Sequence, residues 1–430
     1  MPTALALEHV HDLTAFVSAS PSSFHAVAEV RTRLLGAGFV EHTETEPYDG
    51  SPGGHLVVRD GSVVAWRVPT RRRPRGLRIL GAHTDSPTFT LKPRPDTGAY
   101  GWQQVGMEVY GGPLLNSWLD RELGLAGRIG LRDGRTVLVR TGPIMRIPQL
   151  AIHLDRAVNE EGVKLDRQQH TMPVWSVGRP DLAILHHLAD VAGIVPDDIL
   201  GTEVVAYVAQ RPEIFGPQDE FLASGRLDNL SSVHAGVAAL ATADPSDDVQ
   251  VVAAFDHEEV GSGSRSGAAG PFLDDTLRRI ALSLGVDGEG WYRLLAGSIC
   301  VSADAGHAVH PNYASRHDPA NRPLLNGGPL LKINANQRYA TDASGAAVWH
   351  NACTAAGVPT QEFVSNNAIP CGSTIGPLTA TRTGIATIDV GIPLLSMHSA
   401  RELAGVADPH ALAAAMRAFL GGGGSPAQTA

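Results

Sequence analysis

Five short stretches of this 430-residue chain set histidine or carboxylate at the edge of a regular element. His83 and Asp85 follow "RILGA", Asp228 stands in "GRLDNLSS" before a helical pattern, and adjacent Glu258 and Glu259 follow "VVAAF". Asp304 follows "SICVSA", with His307 and His310 beyond it, and His398 follows "ATIDVGIPLLS". Imidazole nitrogen and carboxylate oxygen are the donors that a zinc-like ion accepts while keeping an open position. Two histidines and three carboxylates, one of them bridging, suffice for a two-metal site that activates water and polarises a carbonyl. The two adjacent glutamates then have separate tasks. One binds metal, and its neighbour, held beside the reacting water, is the general base. Each piece alone has a bland explanation: an HxD on a surface, an Asp-Asn helix cap, an EE pair on a solvated face, a histidine satisfied in the core. Their recurrence at successive strand ends points to a metal centre.

The elements that must position these residues are legible from periodicity. From about residue 222, short apolar strands alternate with amphipathic helices, from "DNLSSVHAGVAALATA" and "VQVVAAF" to "ATIDVGI" and "ALAAAMRAFL". Such alternation predicts an α/β fold, a mostly parallel sheet covered by helices on both faces. Ligands in such sheets bind beyond the carboxyl ends of the strands. The N-terminus predicts two helices, the second capped by Ser22 or Ser23 and closed by Gly36 or Gly38. Asp60-Gly61 between two apolar runs predicts a hairpin. Between 92 and 218 the texture changes to short strands with glycine turns, interrupted by the helix "DLAILHHLADVAG". The chain therefore divides into a catalytic domain in two parts, 1–91 and 219–420, a β-rich insertion, 92–218, and a flexible tail, 421–430.

Composition narrows the function. A formal net charge of −10 argues against a general nucleic-acid binder. The basic run "TRRRPRG" at 70–76 reads as a solvated loop. No apolar stretch is long enough to span a membrane, and the N-terminus lacks the apolar core of a signal peptide. Three cysteines, Cys300, Cys353 and Cys371, have no CxxC spacing, which favours a reducing, cytoplasmic setting. Ser373 lacks a nucleophile-elbow motif, and Cys371 reads as a packed thiol. Backbone amides of the turn at Gly372 are the better candidates for lining a pocket.

The stretches "GAHTDSP", "LAIHLDR", "SGRLDNL", "FDHEEVGSGS", "SADAGHAVHPNY", "LKINANQRYATD", "IPCGSTIGP" and "MHSARE" together resemble the M18 family of metallo-aminopeptidases, the aspartyl aminopeptidases. The resemblance implies a zinc-peptidase-like catalytic domain whose insertion serves dimerisation, with family members commonly forming dodecamers. It implies two divalent ions per subunit, zinc above cobalt or manganese. His83, Asp228 and Asp304 would hold one, Asp228 would bridge to the second, and Glu259 and His398 would complete it. Glu258 takes the place of the general base, and Asp85 that of the carboxylate orienting His83. His153, in "LAIHL", has by its own sequence context only the look of a helix or strand histidine. The resemblance sends it into a neighbouring subunit's active site. The implied substrates are peptides with a free N-terminus, hydrolysed at the first bond.

Lys332, between Leu331 and Ile333, is open to two readings: a strand-edge lysine reaching water, or, by the resemblance, a cation for an acidic first side chain, with Tyr339 shaping the wall. Two other classes compete. A related deacylase or carboxypeptidase would recognise a substrate carboxylate through Arg338 or Arg401. A non-catalytic assembly protein on the same scaffold would have no use for Glu258.

Overall fold

The computed structural model describes residues 2–70 and 74–423. Arg71–Arg73 of the basic run and residues 424–430 of the tail lie outside the described residues. The strands Leu77–His83 and Val249–Phe255 are buried at every position. That is the pattern of parallel strands covered on both faces. They pair with each other in parallel at the middle of a nine-stranded sheet. Ile299–Ala303 adds in parallel to Leu77–His83, and Ala386–Gly391 adds in parallel to Ile299–Ala303. The hairpin Gly53–Arg59 and Ser62–Val68 extends one side antiparallel, and Leu330–Ile333 runs antiparallel to Ala386–Gly391 on the other. As predicted, Asp60-Gly61 makes the hairpin turn, with Asp60 in the left-handed region at φ 55°.

Two apolar cores flank this sheet. One joins it to helices Ala4–Ala19, Ser23–Gly36, Leu227–Thr242, Ala343–Ala356 and Ala407–Leu420 through Phe16, Leu34, Trp349 and Phe419. The other joins it to Phe272–Ser283, Gly288–Ala296 and Ile375–Thr383 through Trp66, Phe255 and Phe272. The α/β architecture with helices on both faces is thus observed. Ser22 caps the second helix, accepting from the His25 amide, and the helix ends at Gly36.

A second, β-rich body has its own core, including Phe89, Met107, Trp118, Leu125, Ile184 and Val204. Its seven strands form one sheet, in which Ile199–Val208 pairs with both Thr88–Thr97 and Glu122–Leu131. That double pairing closes most of the sheet on itself and leaves Thr136–Arg140, paired only with Glu122–Leu131, as an edge. The helix within it covers Ile184–Ala192. A five-stranded sheet lies where the chain returns, combining Glu213–Phe215 and Phe221–Ser224 with Glu402–Gly405, Pro393–Leu395 and Gly306–His307.

Candidate metal centre

The carboxyl ends of adjacent central strands bring the predicted residues together. His83 is the last residue of its strand, Asp304 follows Ile299–Ala303 directly, and the Glu258–Val260 turn follows Val249–Phe255 by two residues. The parallel register sets Phe255 beside His83, so the glutamate turn emerges next to the histidine. Asp228 lies in the first turn of Leu227–Thr242, where its ψ of 104° departs from helical geometry. Gly391 backs Asp304 so closely that a side chain there would overlap the Asp304 carbonyl.

Distances define two overlapping pockets. His83 Nε2 lies 3.3 Å from Asp228 Oδ1 and 3.5 Å from Asp304 Oδ1. His398 Nε2 lies 3.5 Å from both Asp228 Oδ2 and Glu259 Oε2. The two oxygens of Asp228 therefore face two different histidines. Glu258 Oε2 approaches His83 Nε2 at 3.9 Å. The donor atoms of His83, Asp228 and Asp304, and those of Asp228, Glu259 and His398, all lie within 4.8 Å of one another in each group. His83, Glu258 and Glu259 form a third such group.

Buried carboxylates at this density demand positive charge. Asp228 Oδ1 and Glu259 Oε1 are closed off from solvent and have no hydrogen-bond partner. Such atoms, together with a nitrogen–oxygen donor set, fit a divalent cation. The electrostatics of the cluster point the same way. Burial, reinforced by Asp228, holds Glu259 well above the usual carboxylate range. Burial also pushes Glu258 up to about 7, with Asp304, Asp85 and Asp228 adding to it against His83. Burial works to lower His398, but Asp228 and Glu259 carry it up to about 10.

Asp85 explains how two adjacent glutamates are held. Its Oδ1 accepts from the Glu258 amide at 3.0 Å and its Oδ2 from the Glu259 amide at 3.1 Å. Both its backbone and its side chain also face His83. The close acceptor for His83 Nδ1 is the main-chain carbonyl of Asp85, at 3.0 Å, while the carboxylate stands 3.5 Å away. The carboxylate also organises the glutamate turn.

Three further residues that the sequence patterns do not single out hold the site. Tyr110, from the β-rich body, donates its hydroxyl to Asp85 Oδ2 at 2.7 Å. His398 Nδ1 bonds to the Gly112 carbonyl at 3.1 Å. Glu402 is 2% exposed and accepts from two amides, Asp228 N at 3.0 Å and His398 N at 2.9 Å. Burial and Asp228 raise it to about 8. Glu402 lies within the quoted "MHSARE", four residues after His398, which was the available signal. A cavity of about 400 Å³ runs along this seam, lined by Asp85, Tyr110, Trp118, Asp228, His398 and Glu402.

The remaining predicted residues are placed as follows. Lys332 does not reach water: it is 1% exposed, donates Nζ to the Ala305 carbonyl at 2.7 Å and lies 3.7 Å from Asp304 Oδ2. The strand-edge reading fails because Leu330–Ile333 is flanked on both sides by other strands. Tyr339 is buried, with its ring 5.3 Å from Lys332 Nζ. Gly372 is exposed in the coil before Thr374, the cap of Ile375–Thr383. His153 is neither on a helix nor on a strand but in an exposed turn of the β-rich body. Arg401 binds the Arg211 carbonyl and Glu213, and Arg338 is exposed. Cys300 and Cys353 are buried thiols, and Cys371 accepts from Ser365 at 3.0 Å.

The chain as a whole is similar to known proteins. A "probable M18 family aminopeptidase 2" from Streptomyces coelicolor is 53% identical over 420 residues, covering 96% of this chain and 97% of that protein. A cryo-EM structure of the Ape4 and Nbr1 complex matches with a TM-score of 0.93 and 36% identity, over 97% of this chain and 86% of the other. A structure of the S. cerevisiae mApe1 dodecamer matches with a TM-score of 0.85 and 27% identity, over 96% of each chain. The model of the family described as aminopeptidase I zinc metalloprotease matches residues 16–420. With that match across nearly its whole length, the chain belongs to the M18 family of metallo-aminopeptidases.

Proposed function

We propose that this metallo-aminopeptidase works with two divalent ions and removes acidic N-terminal residues, aspartate or glutamate, from peptides. The observation that carries the two-ion reading is Asp228, whose two oxygens face His83 and His398 separately. His83, Asp228 and Asp304 would hold one ion, and Asp228, Glu259 and His398 the other. Zinc is the ion we infer; cobalt and manganese accept the same donors. When bound, the ions supply Lewis acidity toward water and the scissile carbonyl.

The chain's own residues do the rest. Glu258, raised to about 7, takes a proton from the attacking water and passes it to the leaving amine. Asp85 fixes the turn that aims it. Lys332 carries a buried positive charge beside Asp304, and Tyr339 packs against it. A cation there favours an acidic first side chain, with the Gly372 turn forming the outer wall.

Self-association through residues 92–218 is part of the same reading. His153 stands among exposed apolar side chains, with Leu150 57%, Ile152 45% and Leu154 75% exposed. Such a strip suits burial against a second subunit, from which His153 would reach the partner's centre. His153→Ala subunits mixed with Glu258→Gln subunits should then regain activity; proven mixed assemblies without recovery exclude the role in trans. Among the described residues no helix is long and apolar enough to cross a membrane. The free thiols favour the cytoplasm as its place of work.

The deacylase reading is weakened by Arg401, whose guanidinium is engaged with Arg211 and Glu213. The test is a panel of aminoacyl substrates with free and blocked α-amines, assayed after metal removal and readdition. We expect metal-dependent cleavage of free-amine Asp and Glu substrates. Equal turnover of blocked substrates would refute an aminopeptidase of this kind.

A further inference from the structure

The β-rich body, the first helix and the segment leading to Asp228 border a second cavity, of about 570 Å³, lined by none of the proposed metal ligands. Arg140, Arg211 and Arg226 line it, and no aspartate or glutamate does. Among the described residues no ion pair joins any of these three arginines to a carboxylate, within 4.0 Å. Two further arginines bind its rim: Arg121 to the Gln210 side chain and Arg401 to the Arg211 carbonyl. In a chain of net charge −10 this is a marked local excess of the opposite sign.

Part of the arrangement is structural. Arg140 Nη1 donates to Ser18 O at 2.8 Å, and Arg226 Nη2 donates to Val17 O at 3.2 Å. These bonds satisfy carbonyls at the end of helix Ala4–Ala19. Both guanidinium groups also lie over the Tyr207 ring, at 5.2 and 5.9 Å. Helix capping uses only one donor of each guanidinium, which carries five. A helix end supplies about half a unit of negative charge, short of what two cations need. Arg140 Nε also donates to the Tyr207 hydroxyl at 3.4 Å, yet both guanidinium groups keep donors that none of these bonds uses, and with Arg211 they line a space large enough for a small molecule.

We propose that this cavity binds a small oxyanion, either phosphate or a dicarboxylate such as succinate. Guanidinium forks match both groups, in which paired oxygens present themselves two at a time. Arg140 closes the strand Thr136–Arg140, whereas Arg226 lies two residues before Asp228. A bound oxyanion would therefore clamp the β-rich body onto the segment that carries Asp228.

The test is thermal unfolding of the full-length protein with inorganic phosphate and, separately, succinate, each against sodium chloride of matched ionic strength. We expect a saturable rise in Tm in wild type, and apparent binding at least tenfold weaker in Arg140→Gln. Arg211→Gln, an exposed position, gives the same comparison should Arg140→Gln fail to fold. A response to phosphate alone, or to succinate alone, identifies the source; a response to both defines a general oxyanion site. No rise beyond the chloride control overturns the proposal. So does an equal rise in wild type and variants, since phosphate on the metal centre itself would produce that.

Discussion

The two proposed metal pockets share Asp228 and are otherwise held by different parts of the molecule. The His83 side is built from strand ends, and the His83 side chain is 2% exposed. The His398 side is built from a loop, with Ser396 and His398 at φ 57° and 63°, and the His398 side chain is 31% exposed. Its ring is steadied by the Gly112 carbonyl, from the turn after strand Trp102–Tyr110 of the β-rich body, and its amide by Glu402. Glu259 packs beside Gly111, which takes φ +70° and leaves no room for a larger residue without a shift. The sheet thus fixes one pocket by register, whereas the insertion and a buried glutamate must hold the other in place. The β-rich body is therefore in a position to tune the second proposed ion.

The sharpest separation between holding metal and using it is Glu258→Gln. Its near-isosteric side chain should leave both pockets occupied while turnover falls on the order of 10²–10⁴-fold. The wild-type activity should also fall as pH drops through or below about 7, because the base must be unprotonated and bound cations only lower its pKa. That limb should vanish from the residual activity of the variant. A loss under tenfold would remove Glu258 from the role of base.

Lys332→Met probes the His83 side, where the ammonium neighbours Asp304. Loss of a charge-assisted contact to an acidic substrate is worth about 1.5–3 kcal/mol, on the order of 10- to 150-fold in kcat/KM. We expect the Asp-to-Leu preference to drop by that factor. An unchanged ratio makes the lysine a neutraliser of Asp304 only.

Tyr110→Phe is the mildest change and bears most on the role of the insertion. It removes the hydroxyl bonded to Asp85 Oδ2, the oxygen that also receives the Glu259 amide. Partners of this kind typically tune metal affinity by about 10–100-fold. Chelator competition should show one ion released about tenfold more readily and the other unchanged. Equal weakening of both ions would erase the distinction between the pockets.

What the sequence could reveal follows from the same physics. Parallel strands read as apolar runs and end at one edge of a sheet, so the residues after each run must converge. His83, Glu258, Glu259 and Asp304 were legible for that reason. Tyr110 was not, because its hydroxyl reaches Asp85 through a fold closed by strands far apart in the chain, and "MEVYGG" reads only as a strand and turn. Gly112 acts through a carbonyl, which no side-chain pattern can signal. The burial of Lys332 depends on Leu330–Ile333 having a neighbour on each side, a matter of strand order rather than composition.

The most direct test of the two-ion centre is the metal content of three purified proteins, measured by elemental analysis against protein concentration. We expect two ions per subunit in the wild type, one in His398→Ala, and none firmly held in Asp228→Ala, whose carboxylate serves both pockets. Asp228→Ala retaining one ion at full occupancy would contradict the bridge, and with it the account of how this centre is built.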